Sequence, residues 1–118
     1  MPKVLIAEPD EHIRAVLGES LQYSEWTWTE ATTSEETIAL ARSGRPDIIL
    51  IEPAMPGDVI AALRRLRAEP ATHNLPFVVH AGSLDEACAR HLRELRPRCI
   101  LRKPTYPSEI IAELRAAL

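Results

Sequence analysis

The chain has 118 residues, of which 46% are hydrophobic and 26% are charged, and its formal net charge is −3 at pH 7. This composition is typical of a globular domain and excludes a disordered or low-complexity protein. No apolar run approaches the length of a membrane span, and the net charge does not favour nucleic acid or an anionic membrane as a partner. The chain starts without a signal-peptide pattern, so we expect a cytoplasmic protein with one domain at residues 1–118.

Short apolar runs alternate with helical patterns from the start of the chain. Val4–Ala7 is an apolar run that ends in Glu8-Pro9-Asp10. Residues 11–22 then place apolar side chains at helical spacing, which predicts the first helix. Residues 26–29 alternate between polar and apolar side chains, as in a half-buried strand.

The middle of the chain continues this alternation. Thr33 offers a hydroxyl cap to a second helix, which we expect to stop at Gly44. Residues 47–51 are rich in β-branched side chains, as in a central parallel strand that is covered on both faces. Pro56-Gly57 marks a turn, and residues 59–69 predict a third helix.

Two further strand–helix units complete the chain. Residues 77–80 predict a fourth strand, and Ser83 is the expected cap of a fourth helix that runs through Leu95. Ile100-Leu101 marks a fifth strand, and Pro107 opens the last helix. Five successive strand–helix units predict an α/β fold with a doubly wound parallel sheet.

The carboxyl ends of parallel strands are where such folds place their sites. Glu8 follows the first strand, Glu52 follows the third, His80 ends the fourth and Lys103 follows the fifth. Carboxylates that face one lysine either bind a divalent cation or pair with the lysine. We expect His80 to be half-buried and hydrogen-bonded, because no partner with metal-ligand spacing accompanies it.

Four motifs in this order extend over the whole chain: Val4-Leu5-Ile6 with a following acid, Pro46 to Ile51, Met55-Pro56-Gly57, and Lys103-Pro104. In order and spacing, the chain resembles a response-regulator receiver domain. The resemblance implies a flavodoxin-like sheet of strand order 2-1-3-4-5 and a cis peptide between Lys103 and Pro104. It also implies a role in two-component signal transduction with a protein partner.

The resemblance also shows what this sequence lacks. In the family an aspartate at the position of Glu52 accepts a phosphoryl group from a histidine kinase, and here the side chain is one methylene longer. Glu8 matches the first of two acids that help to hold Mg²⁺, but Pro9 stands at the second. Asp10 lies one residue further on, and we expect it to point elsewhere.

Two more positions depart from the family pattern. The hydroxyl that the family places at the end of the fourth strand aligns with Ala81, or with His80 if the alignment shifts by one residue. The usual Gly-Ala before the fifth strand is Arg96-Pro97. The site residues are therefore a degenerate phosphoacceptor set (Glu8, Asp10, Glu52, Ala81 and Lys103), and we expect no metal ion, no cofactor and no catalytic residue.

Arginines are concentrated in the last third of the chain. The spacing of three between Arg90, Arg93 and Arg96 predicts one face of the fourth helix. Together with the two near the fifth strand, they form the predicted partner surface: Arg90, Arg93, Arg96, Arg98 and Arg102. The resemblance extends this surface to the fourth helix, fifth strand and fifth helix, through which a homodimer is also expected.

Three functions compete for this sequence. The first is a pseudo-receiver, a non-enzymatic module that binds a protein without phosphorylation, with Glu52 either imitating the phosphorylated aspartate or kept only as a partner of Lys103. The second is a conventional phosphorelay receiver that uses Glu52 as its acceptor. The third, a nucleic-acid binder that uses the arginines, is the least favoured, because no aromatic side chains are interleaved with them.

Overall fold

The structure is a computed structural model that describes residues 1–118 as five strands and five helices in strict alternation. In chain order these are β1 (Lys3–Ala7), α1 (Glu11–Tyr23), β2 (Thr27–Ala31), α2 (Ser34–Ser43), β3 (Ile48–Ile51), α3 (Val59–Ala68), β4 (Phe77–Ala81), α4 (Glu86–Glu94), β5 (Ile100–Arg102) and α5 (Pro107–Ala116). No helix is both long enough and apolar enough to cross a bilayer.

The sheet has the strand order β2-β1-β3-β4-β5, and every neighbouring pair is parallel. The predicted α/β fold and the order 2-1-3-4-5 are therefore confirmed. Because the strands are parallel, all five carboxyl ends meet at one edge of the sheet. The residues that follow β1, β3 and β5 are thus brought close together.

The sheet separates two hydrophobic clusters, because successive side chains of a strand point to opposite faces. Helices α2, α3 and α4 cover one face, with Leu63 and Leu92 among their buried residues. Helices α1 and α5 cover the other face, with Leu17 and Ile110 buried there. The four residues of β3 are all buried, as predicted from their unbroken apolar run.

Side-chain caps set most of the helix starts. Thr33 caps α2 as predicted, since its hydroxyl accepts the backbone N–H of Glu36 at 3.1 Å. The predicted cap of the fourth helix is wrong: Ser83 lies outside α4, and Asp85 is its N-cap. The Asp85 Oδ1 accepts the backbone N–H of Cys88 at 2.7 Å. A carboxylate there also interacts favourably with the positive end of the helix dipole.

The end of α4 also differs from the prediction. The helix ends at Glu94, and Arg96 follows in the left-handed region with φ of 58°. Arg96 therefore does not share a helix face with Arg90 and Arg93, because the chain has already left the helix. Arginine stands here at a backbone position that favours glycine.

Two loop features position the strand ends. Gly57 has φ of 97°, and a Cβ on it would lie 1.9 Å from the Ser34 hydroxyl, so only glycine fits this turn. The peptide between Lys103 and Pro104 is cis, as the resemblance implies.

Candidate functional site

Glu8, Glu52 and Lys103 each stand directly after a strand, at the edge where the carboxyl ends meet. The backbone ladder continues through all three. The N–H of Glu52 donates to the carbonyl oxygen of Ala7 at 2.9 Å, and the N–H of Lys103 donates to that of Ala81 at 2.8 Å. Their backbones are therefore fixed by the sheet itself.

The three side chains meet in a closed group, here called the triad. The Lys103 ammonium lies 2.7 Å from Oε1 of Glu8 and 2.8 Å from Oε1 of Glu52. Glu8 and Glu52 are buried, with 3% and 5% of their surface exposed. The sequence predicted that Glu52 could pair with Lys103, and the structure also places Glu8 on the same ammonium.

Glu52 is held by two backbone groups as well as by the lysine. Its Oε2 accepts the N–H of Ala54 at 2.9 Å, and its Oε1 accepts the N–H of Gly82 at 3.0 Å. Burial by itself raises the pKa of the Glu52 carboxyl, but the bonds from Ala54, Lys103 and Gly82 outweigh burial and leave this pKa below its ordinary value. Glu52 is therefore ionised at neutral pH.

Lys103 is charged as well, because its contacts with two carboxylates favour the ammonium form. Burial lowers the pKa of its ammonium, but the contacts with Glu52 and Glu8 outweigh burial and raise this pKa above its ordinary value. Two carboxylates share one ammonium, so the triad has a net charge of about −1 at neutral pH.

Asp10 points away from the triad, as expected. Its side chain caps α1 by accepting the N–H groups of His12 and Ile13, and only its backbone N–H reaches Glu8, at 3.2 Å. Sequence reasoning missed Arg14, which holds the loop before α1 by donating to the carbonyl oxygens of Glu8 and Pro9 at 2.9 and 3.0 Å. A long-range contact of this kind has no signature in the sequence.

Ala81 is the last residue of β4, and it is fully buried in the cluster beneath α2, α3 and α4. His80, one residue earlier, lines a cavity beside α1 and α5 with Lys103. Neither residue offers a hydroxyl group to the triad. At this strand end the hydrogen bond to Glu52 comes from the backbone N–H of Gly82 instead.

His80 departs from the sequence prediction. It is 4% exposed, and neither ring nitrogen has a hydrogen-bond partner, so the expectation of a half-buried, hydrogen-bonded histidine is wrong. The cavity it lines measures about 230 Å³ and is bordered by apolar side chains of α1 and α5. Burial, followed by the charge of Lys103, lowers the pKa of His80 to about 4, so the imidazole is neutral at pH 7.

The triad does not fit a magnesium site. Mg²⁺ needs near-octahedral oxygen ligands, but the carboxylates of Glu8 and Glu52 both bind the Lys103 ammonium. Pro9 has no side-chain oxygen, and the Asp10 carboxylate is engaged at the start of α1. No group of three or more histidine, cysteine, aspartate or glutamate side chains forms a metal-like cluster in the structure.

The five arginines of the predicted partner surface are all exposed. Arg90 and Arg93 lie on α4, and Arg102 ends β5 at the same edge of the sheet as the triad. Arg96 and Arg98 instead border a cavity that contains none of the other three. Arg96 and Arg98 therefore also belong to a cavity, and the partner surface of these five arginines stays a prediction.

Comparison with known proteins agrees with this geometry. Residues 4–115 match the response regulator receiver domain family. The chain is 26% identical over 116 residues to the phosphate regulon transcriptional regulatory protein PhoB of Pseudomonas aeruginosa, covering 98% of this chain and 51% of that protein. It is 28% identical over 117 residues to the transcriptional regulatory protein ResD of Bacillus subtilis, covering 98% of this chain and 48% of that protein. The chain thus spans about half the length of these curated relatives.

Solved structures give the same result. The fold matches the chemotaxis response regulator CheY4 of Vibrio cholerae with a TM-score of 0.89 at 21% identity, covering 100% of this chain and 99% of that one. It matches the signal receiver domain of a modulated diguanylate cyclase from Desulfovibrio desulfuricans with a TM-score of 0.87 at 26% identity, covering 99% and 93% of the two chains. The triad at the carboxyl edge, the sheet order and the family match over nearly the whole chain lead to one conclusion: this chain belongs to the response regulator receiver domain family, whose members act with partner proteins in two-component signalling.

Proposed function

We propose that this chain is a pseudo-receiver, a protein-binding module that works without phosphorylation and has no catalytic activity of its own. The observation that supports this most is the closed triad. The Lys103 ammonium, which lies at the end of β5, already binds both carboxylates at 2.7 and 2.8 Å. No hydroxyl group and no second metal-binding acid stand beside it.

The geometry of Glu52 supports the same proposal. Its Oε1 receives two hydrogen bonds and its Oε2 receives one, so both oxygens of the would-be acceptor are engaged. Transfer to a carboxylate requires an oxygen that is free to attack in line and charge neutralisation around the phosphoryl group. Neither condition is met well here. The glutamate side chain is also one methylene longer than aspartate, which displaces the acceptor oxygen.

A labelling experiment tests this proposal. We expect no uptake of phosphoryl groups from acetyl phosphate and no beryllofluoride binding at millimolar Mg²⁺, for the wild type or for Glu52→Asp. Several groups that act together in phosphoryl transfer are missing, so restoring one of them does not restore the reaction. Intact-mass spectrometry and fluorine NMR measure the two outcomes, and calorimetry should detect no Mg²⁺ binding.

The matched control is the triple variant Pro9→Asp/Glu52→Asp/Ala81→Thr, which returns the three departures at the phosphoacceptor site to the family pattern. We expect labelling to appear in this variant alone. Stoichiometric labelling of the wild type that Glu52→Gln abolishes would instead make Glu52 a working acceptor and the chain a conventional phosphorelay receiver.

We propose the α4–β5–α5 side as the partner surface. β5 is an edge strand, and Arg93 and Arg102 are exposed there. Tyr106, just before α5, is 75% exposed. Arginine and tyrosine are enriched in protein interfaces. Glu109 and Glu113, exposed on α5, would allow a second copy of the chain to pair with the same arginines in a two-fold dimer.

Charge reversal tests this surface. We expect Arg93→Glu/Arg102→Glu to weaken binding to a purified partner, or self-association, by about tenfold or more, because like charges then face each other. Arg45→Glu/Arg65→Glu, with one exposed arginine after α2 and one on α3, makes the same change of charge outside the surface and serves as the control. Calorimetry and analytical ultracentrifugation measure the two kinds of binding, and an equal loss in both variants would reject this surface.

A further inference from the structure

A second group of polar side chains lies at the edge of the sheet opposite to the triad. The N–H of Arg98 donates to the carbonyl oxygen of Phe77, the first residue of β4, at 2.8 Å. This places Arg98 at the amino ends of the strands. A cavity of about 480 Å³ opens there, bordered by Arg67, Arg96 and Arg98 together with His73, Asn74 and two prolines. We call it the basic cavity.

The basic cavity carries positive charge that no protein group balances. None of its residues is acidic. The ion pairs of the structure involve Arg14, Arg42 and Arg65 among the arginines, and none of the three cavity arginines. Burial and then the charges of Arg96 and Arg98 lower the pKa of the Arg67 guanidinium below its ordinary value. The three cations therefore act on one another across this space.

Arg67 is fixed in place from several directions. Its Nη1 donates to the carbonyl oxygens of His73 and Leu75, and its Nε donates to that of Leu95 at 3.3 Å. Its guanidinium lies 5.1 Å from the centre of the Phe77 ring. One side of the cavity is thus preorganised, which reduces the entropy that a bound ligand would cost.

Arg96 stands at a position that the backbone would otherwise give to glycine. With φ of 58° directly after α4, it adopts the left-handed conformation that disfavours side chains with a Cβ. Its side chain is exposed and has no partner in the protein. Glu25 and Arg45 have the same conformation after α1 and α2, so the conformation by itself assigns no role to Arg96, whose part in the cavity rests on its exposed, unpaired guanidinium.

His73 adds a further polar group. Its Nδ1 lies 2.6 Å from the carbonyl oxygen of Arg67, so Nδ1 is the donor, and this bond fixes the ring at the border of the cavity. The exposed amide of Asn74 stands beside it. Guanidinium and amide donors in one cavity are groups that bind phosphate oxygens.

We propose that the basic cavity binds a compact small molecule that carries phosphate groups, such as a diphosphate or a phosphate ester. The cavity has the size of small-molecule sites, and paired guanidinium groups match phosphate oxygens geometrically. No Phe, Tyr or Trp side chain borders it, so it lacks the large aromatic side chains on which single-stranded nucleic acids stack their bases. This inference does not depend on the proposed function, because the triad lies at the other edge of the sheet.

Calorimetric titration of the whole chain with inorganic pyrophosphate tests this site. We expect saturable one-to-one binding to the wild type, and a loss of at least tenfold in affinity in Arg96→Gly/Arg98→Gln. Arg96→Gly removes a charge and suits the left-handed backbone, so the variant should remain folded by circular dichroism. Arg90→Gln/Arg93→Gln removes the same charge from α4 outside the cavity and should bind pyrophosphate as the wild type does.

Three results would overturn the proposal. The first is no heat of binding at millimolar pyrophosphate, and the second is an equal loss of affinity in the Arg90/Arg93 control. The third is tighter binding of a short duplex DNA than of pyrophosphate with the same dependence on Arg96 and Arg98. That result would assign the cavity to a nucleic-acid backbone instead of a small molecule.

Discussion

At the scale of single residues, Lys103 stabilises the site because it is the shared partner of two buried carboxylates. Its ammonium compensates for the cost of burying Glu8 and Glu52, which have 4% and 6% of their side chains exposed. Removal of one partner from a buried ion pair leaves an uncompensated charge, and this costs more than the pair contributes in net stability. The triad therefore holds the strand ends together only while all three members are present.

We expect Lys103→Met to destabilise the fold by about 3 kcal/mol at pH 7. Part of this loss should return at pH 5, because the two carboxylates that have lost their partner then take up protons more readily. Urea denaturation at both pH values measures the change.

The double variant Lys103→Met/Glu52→Gln provides the control for coupling between these residues. Its loss of stability should be smaller than the sum of the two single losses, because the second change removes a charge that the first left unpaired. Additive losses would show that Glu52 and Lys103 do not stabilise each other.

At the scale of elements, the start of α4 depends on a different side chain from the one that the sequence predicts. Ser83, Asp85 and Glu86 all lie near the start of the helix, and Ser83 and Asp85 are both good N-cap types. The structure selects Asp85, whose carboxylate accepts the N–H of Cys88. The choice sets where α4 begins, and therefore how Arg90 and Arg93 are presented on its surface.

We expect Asp85→Ala to destabilise the protein by about 1 kcal/mol, since it removes both the cap and the charge that favours the helix N-terminus. Ser83→Ala, two residues earlier, should change stability by less than about 0.5 kcal/mol. Thermal denaturation followed by circular dichroism compares the two. If Ser83→Ala is the more damaging change, the cap predicted from the sequence is the correct one.

At the scale of the whole molecule, His80 makes the free energy of unfolding depend on pH. It lies on the face of β4 towards α1 and α5, next to Lys103, with no hydrogen-bond partner. Its pKa is about 4 in the folded protein against 6.5 ordinarily, so the unfolded chain binds more protons between these pH values. Stability is therefore present above pH 6.5 and is lost as the pH falls towards 4.

The lowering of the His80 pKa from 6.5 to about 4 corresponds to roughly 3 kcal/mol of stability. We therefore expect the wild type to lose a measurable part of its stability between pH 6.5 and pH 4.5. His80→Leu should flatten this dependence and should leave stability at pH 7 unchanged or higher, because it replaces a buried polar group that has no partner. Glu52, with its lowered pKa, contributes a separate loss below about pH 4.5. Urea denaturation at half-unit pH steps measures the losses due to His80 and to Glu52. If the free energy of unfolding of His80→Leu falls with pH as steeply as that of the wild type, the acid sensitivity belongs to other groups.

The sequence by itself determined the number, type and order of the elements and the side chains at the strand ends. Apolar periodicity and capping residues are local properties, so β3 and the start of α2 could be predicted directly from residues 47–51 and Thr33. The parallel order also required that Glu8, Glu52 and Lys103 meet at one edge. This much of the site follows from topology, without side-chain coordinates.

Only the tertiary structure decided which groups bind which. Both glutamates share one ammonium, His80 has no hydrogen-bond partner, and Arg96 and Arg98 border one cavity with Arg67. These arrangements depend on distances between residues far apart in the chain. Packing of helices on the sheet sets those distances to within ångströms. The observed end of α4 differs from the predicted one by a single residue, from Leu95 to Glu94, and a local pattern cannot resolve a change of that size.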